Sequence, residues 1–305
     1  MNKSTLNERL GPLFAILSAV LFGTMPLFAK IAYAYGCNSY TAAFGRFLFG
    51  AAASGLIIGI HPKLSFRITA TEFKSLLLLS LFYAATPVLL YESYQTISSG
   101  LATTLHFTYP VIVMVLGAIL FRSVLHVKQI VCLLICMSGI LCFYRPGAGE
   151  GTTGMFLAVF SGLTYALYIL FLGKSGLKQL HVMTITFWIS LLSAIEIATF
   201  AMLGGKLLLT VPWQGWAAVG CLGLFATVLA LALFQLGVFL CGEVKAALLS
   251  TFEPLTGVIL GIGIFHETLT LRITAGILLI LLSTVLLVAE PVSVKASERS
   301  VHHAG

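Results

Sequence analysis

Five ionisable side chains stand inside otherwise apolar runs of this sequence: Arg46, Glu92, His106, Glu196 and Glu253. Such groups resist leaving water, so each needs a partner or a task. Two of them come with a proline: His106 lies four residues before Pro110, and Glu253 immediately precedes Pro254. Proline donates no backbone N–H, which frees the carbonyl four residues earlier, His106's own in the first case and Ser250's in the second. A freed carbonyl beside a titratable side chain forms a polar site able to hold a polar cargo or a proton. A packing kink satisfied within the protein is the other reading.

Arg46, flanked by Gly45 and Gly50, could pair with a buried carboxylate, bind an anionic group or snorkel to an interface. Glu92, in "LLYESYQ", could line a cavity mouth, carry a proton or sit solvated near a helix end. Glu196, in "LLSAIEIATF", belongs to no motif and reads as a structural partner. Tyr91, Phe107, Tyr109, Tyr165, Trp188 and Phe252 could form an aromatic wall, though aromatic residues at helical spacing also serve as core or interfacial belt. The candidate binding residues are therefore His106, Glu253, Arg46, Glu92, Tyr91, Tyr109, Tyr165 and Trp188, with Pro110 and Pro254 as candidate hinges.

The elements that must position these residues follow from composition. Hydrophobic residues make up 59% of the chain and charged residues 9%, with mean hydropathy +1.05. A soluble chain carries about 25% charged residues, so the solvent here is largely lipid: the chain is an all-α integral membrane protein. The net charge of +7 forms no basic patch, which argues against nucleic acid as a partner. Cys132, Cys136, Cys142 and Cys221 lie in apolar runs without a C-x-x-C pair and read as small core residues; no metal or cofactor is expected. The first apolar run ends in "AYA" but exceeds a signal-peptide core in length, so cleavage is not expected.

A crossing helix needs about 20 apolar residues. The runs predict helices over 11–33, 39–60, 73–94, 99–121 and 127–144, then 153–173, 181–203, 214–237, 243–265 and 271–289. The breaker-rich "RPGAGEGTTG" separates the sets, and the polar end reads as a tail. Residues 1–145 and 146–290 thus form two five-helix halves, with 291–305 beyond them. At an offset of 144 residues, Ala102 falls on Ala246, Leu105 on Leu249, Pro110 on Pro254, Gly117 on Gly261 and Phe121 on Phe265. An offset of 143 brings Gly11 over Gly154 and Ser18 over Ser161. With the N-terminus in the cytoplasm, twelve Lys and Arg fall inside, four outside and Arg46 within a span, which supports that orientation and cytoplasmic termini. Five crossings per half then make the second copy run inverted, a recurring transporter design with its site at the repeat interface.

The stretches "LFGTMPLFAK", "FGRFLFGAA", "SSGLATTLHFTYPV" and "GEVKAALLSTFEPL", with "FHETL" after the ninth helix, resemble the EamA-type ten-helix members of the drug/metabolite transporter superfamily. The resemblance covers residues 11–289. Phe22 stands before Gly23 where that family often has Trp, and Glu267 meets Ser123 at the repeat offset. It implies alternating-access movement of small metabolites across the cytoplasmic membrane, often export of amino acids or related compounds, with a coupled proton as a further candidate partner. A proton-coupled multidrug exporter is the alternative, weakened because no acid occurs between Gly11 and Ile31; a non-transporting scaffold or sensor is a third reading. An enzyme is not expected: "HETLT" has Thr270 where a zinc site needs its second His, and no G-x-S-x-G or P-loop occurs.

Overall fold

The computed structural model describes residues 3–97, 99–122, 124, 126–142, 151–265 and 270–288. The linker positions 145–150, Glu267 in "FHETL" and the tail 291–305 lie outside these residues. The apolar runs fold as helices because lipid offers no partner to a backbone amide, so a crossing segment must satisfy its own. In the first half these are α1 (Lys3–Phe22), α2 (Met25–Ala34), α3 (Ser39–Ile60), α4 (Ala70–Ser93), α5 (Ser99–His106), α6 (Tyr109–Phe121) and α7 (Val127–Leu141). In the second half they are α8 (Thr152–Lys174), α9 (Val182–Leu203), α10 (Trp213–Cys221), α11 (Ala230–Cys241), α12 (Glu243–Leu249), α13 (Phe252–Phe265) and α14 (Leu271–Val288). Among the described residues, six segments are long and apolar enough to cross a membrane, and shorter apolar helices accompany them. Each broken pair, α5 with α6 and α12 with α13, completes one crossing, giving ten in two sets of five.

Local chemistry sets the helix starts. The Asn38 side chain accepts from the Thr41 amide at 2.8 Å and opens α3. Thr69 and Glu72 form a reciprocal capping box at the start of α4, with the Thr69 amide donating to Glu72 at 2.6 Å. Large apolar side chains such as Leu56, Ile60, Phe156 and Val285 face outward, whereas Arg46, Gln235, Glu253 and many hydroxyls are buried. A soluble protein places these the other way round.

The packing has an internal two-fold logic. Exchanging the halves turns α1 into α8 and the eighth crossing into the third, and α1 against α11 is matched by α8 against α4. The pairs α3 with α9 and α7 with α14 map onto themselves. Contacts between helix ends fit ten alternating crossings: Asn38 reaches the Lys206 carbonyl at one end of the bundle, and Thr184 reaches the Ser65 carbonyl at the other.

The prolines do more than bend continuous helices. Two residues separate α5 from α6 and α12 from α13, and each proline sits in the first turn of the second piece, where a missing N–H is harmless. Two features went unread in the sequence. The first crossing also breaks, at Gly23 and Thr24 ahead of Pro26, and the eighth crossing carries a π-helical stretch over Leu222–Leu229.

Glycine lets backbones meet at these breaks. A methyl at Gly162 would lie 2.7 Å from the carbonyl oxygen of His106, and one at Gly23 would lie 2.6 Å from that of Glu253. Both obstacles are backbone and cannot swing aside. Gly162→Ala and Gly23→Ala are each expected to destabilise the protein by roughly 1–3 kcal/mol, read as a lower thermal midpoint in detergent. Gly59→Ala, with nothing within 4 Å of the new methyl, should leave it unchanged.

Candidate functional site

Three helix breaks converge on one central cavity. Phe22 and Met25 flank the α1/α2 break, His106 ends α5, and Glu253 lies in the first turn of α13; all four line the cavity. Arg46 from α3, Tyr83, Thr86, Pro87, Leu90 and Tyr91 from α4, and Tyr165 from α8 complete its wall. The space between these side chains, open solvent at its mouth included, is about 350 Å³. Glu253 stands at a helix N-terminus, where the backbone dipole favours an anion.

Arg46 is only 2% exposed, and its hydrogen bonds explain how a guanidinium survives there. Nε donates to Thr227 Oγ1 at 3.0 Å. Nη1 donates to Met25 Sδ at 3.1 Å and Tyr91 OH at 3.5 Å. Nη2 donates to Tyr83 OH at 2.9 Å and to the Ala226 carbonyl at 3.4 Å. Five N–H groups meet five acceptors, all of them neutral. The π-helical stretch supplies two of these acceptors, Ala226 and Thr227. Its wider turn is the local distortion often found at functional sites.

His106 Nδ1 lies 2.8 Å from Ser161 Oγ, while the Ser161 hydroxyl sits 2.6 Å from the Ala158 carbonyl. That carbonyl can only accept, so the serine gives it its proton and His106 supplies the proton of the other bond. The tautomer is therefore Nδ1–H, which leaves Nε2 as the open ring nitrogen. Glu253 shares the cavity with Arg46, yet no ion pair joins them and no hydrogen bond reaches the Glu253 carboxylate among the described residues. Of the carbonyls opposite the two prolines, Ser250's accepts the Glu253 amide at 3.0 Å, and His106's lies against Gly162.

The structure thus brings His106, Glu253, Arg46, Tyr91 and Tyr165 to one cavity. Tyr109 packs behind it, with ring centroids 4.8 Å from Tyr165 and 5.4 Å from His106, and its buried hydroxyl has no hydrogen-bond partner among the described residues. Glu92 lies half-buried in the last turn of α4, outside the cavity wall. Trp188 lies away from the cavity, donating to the Phe66 carbonyl at 3.0 Å and packing edge-on against Phe73. Glu196 does take a structural partner: Ser80 Oγ is 2.7 Å from its carboxyl group. Sequence reasoning missed Tyr83, Met25 and Ser161. Tyr83 stands eight residues before Tyr91 on the same helix, about one face, and Ser161 was already flagged by its repeat match to Ser18.

Related contacts stand on two sides of the bundle, one at the cavity wall and one away from it. On one side the Tyr33 hydroxyl donates to the Tyr91 carbonyl at 3.3 Å, and Tyr91 OH lies 4.0 Å from Met25 Sδ. On the other, Gln235 donates to Tyr168 OH at 3.4 Å and accepts from Thr186 at 3.2 Å. The repeat offsets of 144 and 143 carry Tyr91 onto Gln235 and Met25 onto Tyr168. Each closure is therefore one copy's version of the other.

Comparison with known proteins agrees with this architecture. The model of the EamA-like transporter family matches residues 9–145 and again 152–289. An uncharacterized transporter of Archaeoglobus fulgidus is 29% identical over 268 residues, covering 88% of this chain and 92% of its own. An uncharacterized transporter of Synechocystis sp. is 31% identical over 225 residues, covering 70% of this chain and 66% of its own. A solved crystal structure superposes with a TM-score of 0.73 at 15% identity, covering 90% of this chain and 95% of that one, which establishes the shared fold. A duplicated five-crossing unit, matched twice by one family model, makes this chain a multi-pass membrane protein that belongs to the EamA-like transporter family.

Proposed function

We propose that the protein is a secondary transporter that moves small metabolites, amino acids or related compounds, by alternating access through the central cavity. The observation that carries this reading is the cavity itself: helix breaks from both copies meet there, beside an Arg46 and a Glu253 that are not joined to each other. Paired, related closures on either side suit a cycle in which one copy's contacts open while the other's stay shut. Residues 1–145 and 146–290 act as the two moving halves, and Pro110 and Pro254 mark where their fourth crossings flex. Export is the direction that the family resemblance implies. Glu253, which lines the cavity and whose carboxylate meets no donor among the described residues, is the group that a coupled proton would use.

Comparing metabolites inside and outside cells with and without the protein tests the core of the reading. One compound class should change its partition, and an unchanged profile would leave a scaffold as the better account. Repeating transport in purified vesicles with and without an imposed pH gradient separates proton coupling from uncoupled movement. Pro110→Ala and Pro254→Ala restore a good helix former and should lower turnover far more than equilibrium affinity. Wild-type turnover in both would make the prolines architecture only.

The protein is placed in the cytoplasmic membrane with both termini cytoplasmic, as the twelve-to-four distribution of cations supports. In a background lacking the native cysteines, an impermeant thiol reagent added outside should label cysteines placed at Gly36 and Gly205. It should spare those placed at Ser65 and Gly176. The opposite pattern would reverse the orientation.

A further inference from the structure

We propose that Glu196 and Ser80 form a proton-binding site on the seam between the two halves, outside the cavity, with the proton held on the Glu196 carboxyl at neutral pH. The site takes no cargo and does not rest on the transport reading. Glu196 belongs to α9 of the second half and Ser80 to α4 of the first, and these two helices pack together. Glu196 stands seven residues from the nearer end of its helix and Ser80 ten from the nearer end of its own. At 1.5 Å per residue the pair lies about 10 Å or more inside the bundle.

The hydrogen-bond inventory points to the protonated acid. Ser80 Oγ is 2.7 Å from Glu196 Oε1 and 2.9 Å from the Leu77 carbonyl of its own helix. A hydroxyl has one proton, and a carbonyl can only accept. Both contacts are hydrogen bonds at once when Ser80 gives its proton to Leu77 and the Glu196 carboxyl donates to Ser80. The ionised form would have one donor at Oε1 and none at Oε2, which is buried without a partner among the described residues. A carboxylate so poorly solvated is costly.

The neighbouring charges leave it uncompensated. α9 packs against α3, α4, α11 and the π-helical stretch, and that stretch carries no titratable side chain. Arg46 of α3 is bonded to Tyr83 and Tyr91 of α4 at the cavity. Tyr40 of α3 stacks on Phe200 and accepts from Lys206. Glu72, Lys74 and Glu92 stand near the ends of α4, and Cys241 ends α11. Among the described residues none of these bonds to Glu196.

The site is placed where its charge would matter. Ser193, one turn before Glu196, donates to the Ser80 carbonyl at 3.3 Å, so the seam closes on this pair. Exchanging the halves at the offset of 144 puts Ala52 in place of Glu196 and Leu224 in place of Ser80. The seam between α3 and the eighth crossing therefore has no such group. Loss of the proton puts a negative charge on one of two related seams and weakens that one alone.

The test uses the purified full-length protein in detergent. At neutral pH the infrared difference between wild type and Glu196→Gln should show loss of the carbonyl band of an un-ionised carboxylic acid. Ser80→Ala keeps the carboxyl and removes its partner, so it should displace the same band; this variant decides the matter if Glu196→Gln does not fold. Thermal midpoints read the consequence. Unfolding into water releases the proton, so wild type should lose stability against Glu196→Gln as pH rises above the ordinary carboxylate range, by up to about tenfold in the folding equilibrium per pH unit. Loss of carboxylate bands in place of the acid band, an acid band unmoved by Ser80→Ala, or a midpoint difference that stays constant with pH would overturn the proposal. None of these results bears on the metabolite comparison that judges transport.

Discussion

A guanidinium held in the middle of a membrane protein without a carboxylate on it is the constraint around which this structure is arranged. Arg46 takes acceptors from α2, α4 and the π-helical stretch of the eighth crossing, so one side chain on the second crossing ties three others to it. Leaving one buried donor unmatched costs about 1–3 kcal/mol, and more for a charged group. That cost fixes where Tyr83 and Tyr91 must stand, and the π-helical turn keeps the Ala226 carbonyl and Thr227 hydroxyl within reach. The wall of the cavity is to a large extent the solvation shell of one arginine.

The repeat supplies the frame, and its departures from symmetry supply the chemistry. At the offset of 144, Arg46 corresponds to Ser190, His106 to Ser250 and Tyr109 to Glu253. Ser190 is buried, and its hydroxyl has no hydrogen-bond partner among the described residues. Two equal copies would place two arginines at the centre, or two glutamates, and like charges in a shared low-dielectric site repel. Divergence at these three positions leaves one cation, one carboxylate and one imidazole around a single space. The prolines, by contrast, stay matched, because both fourth crossings need the same break.

Much of this was legible in the sequence. Composition required lipid as solvent, and the offset match of Pro110 with Pro254 revealed the duplication. Arg46, His106 and Glu253 stood out because an ionisable group in an apolar run is costly enough to be a signal by itself. Tyr83 gave no such signal, since a tyrosine in a membrane helix is ordinary until its hydroxyl is seen to face a guanidinium. The π-helical stretch was illegible for a related reason: "LGLFATVL" is as good an α-helix as its neighbours, and only the demand of Arg46 for acceptors distinguishes it. Trp188 illustrates the converse, a large aromatic residue whose indole N–H is satisfied by a loop carbonyl remote from the cavity. The break at Gly23 was hidden because Pro26 reads as a helix start only once the packing of Gly23 on the Glu253 backbone is known.

Alternating access needs two closed arrangements of nearly equal free energy, because a cargo can shift an equilibrium only by its differential affinity for the two states. Two closures bear on that demand. One consists of the Tyr33 bond to the Tyr91 carbonyl and the Tyr91–Met25 contact, the other of the Thr186–Gln235–Tyr168 chain. All of these contacts are neutral. A typical hydrogen bond of this kind contributes about 0.5–1.5 kcal/mol net, so each closure is worth only a few kcal/mol. The ion pair between Lys174 and Glu243, at 3.1 Å, lies at the end of the bundle, where Lys174 is 43% exposed and water weakens the attraction. The strong charge of the molecule, Arg46, is spent on acceptors that belong to the cavity wall. The contacts within each closure are thus weak and neutral, but the two closures are not equivalent: Met25 and Tyr91 also accept from Arg46, which ties the first closure to a buried charge that the Thr186–Gln235–Tyr168 chain does not meet.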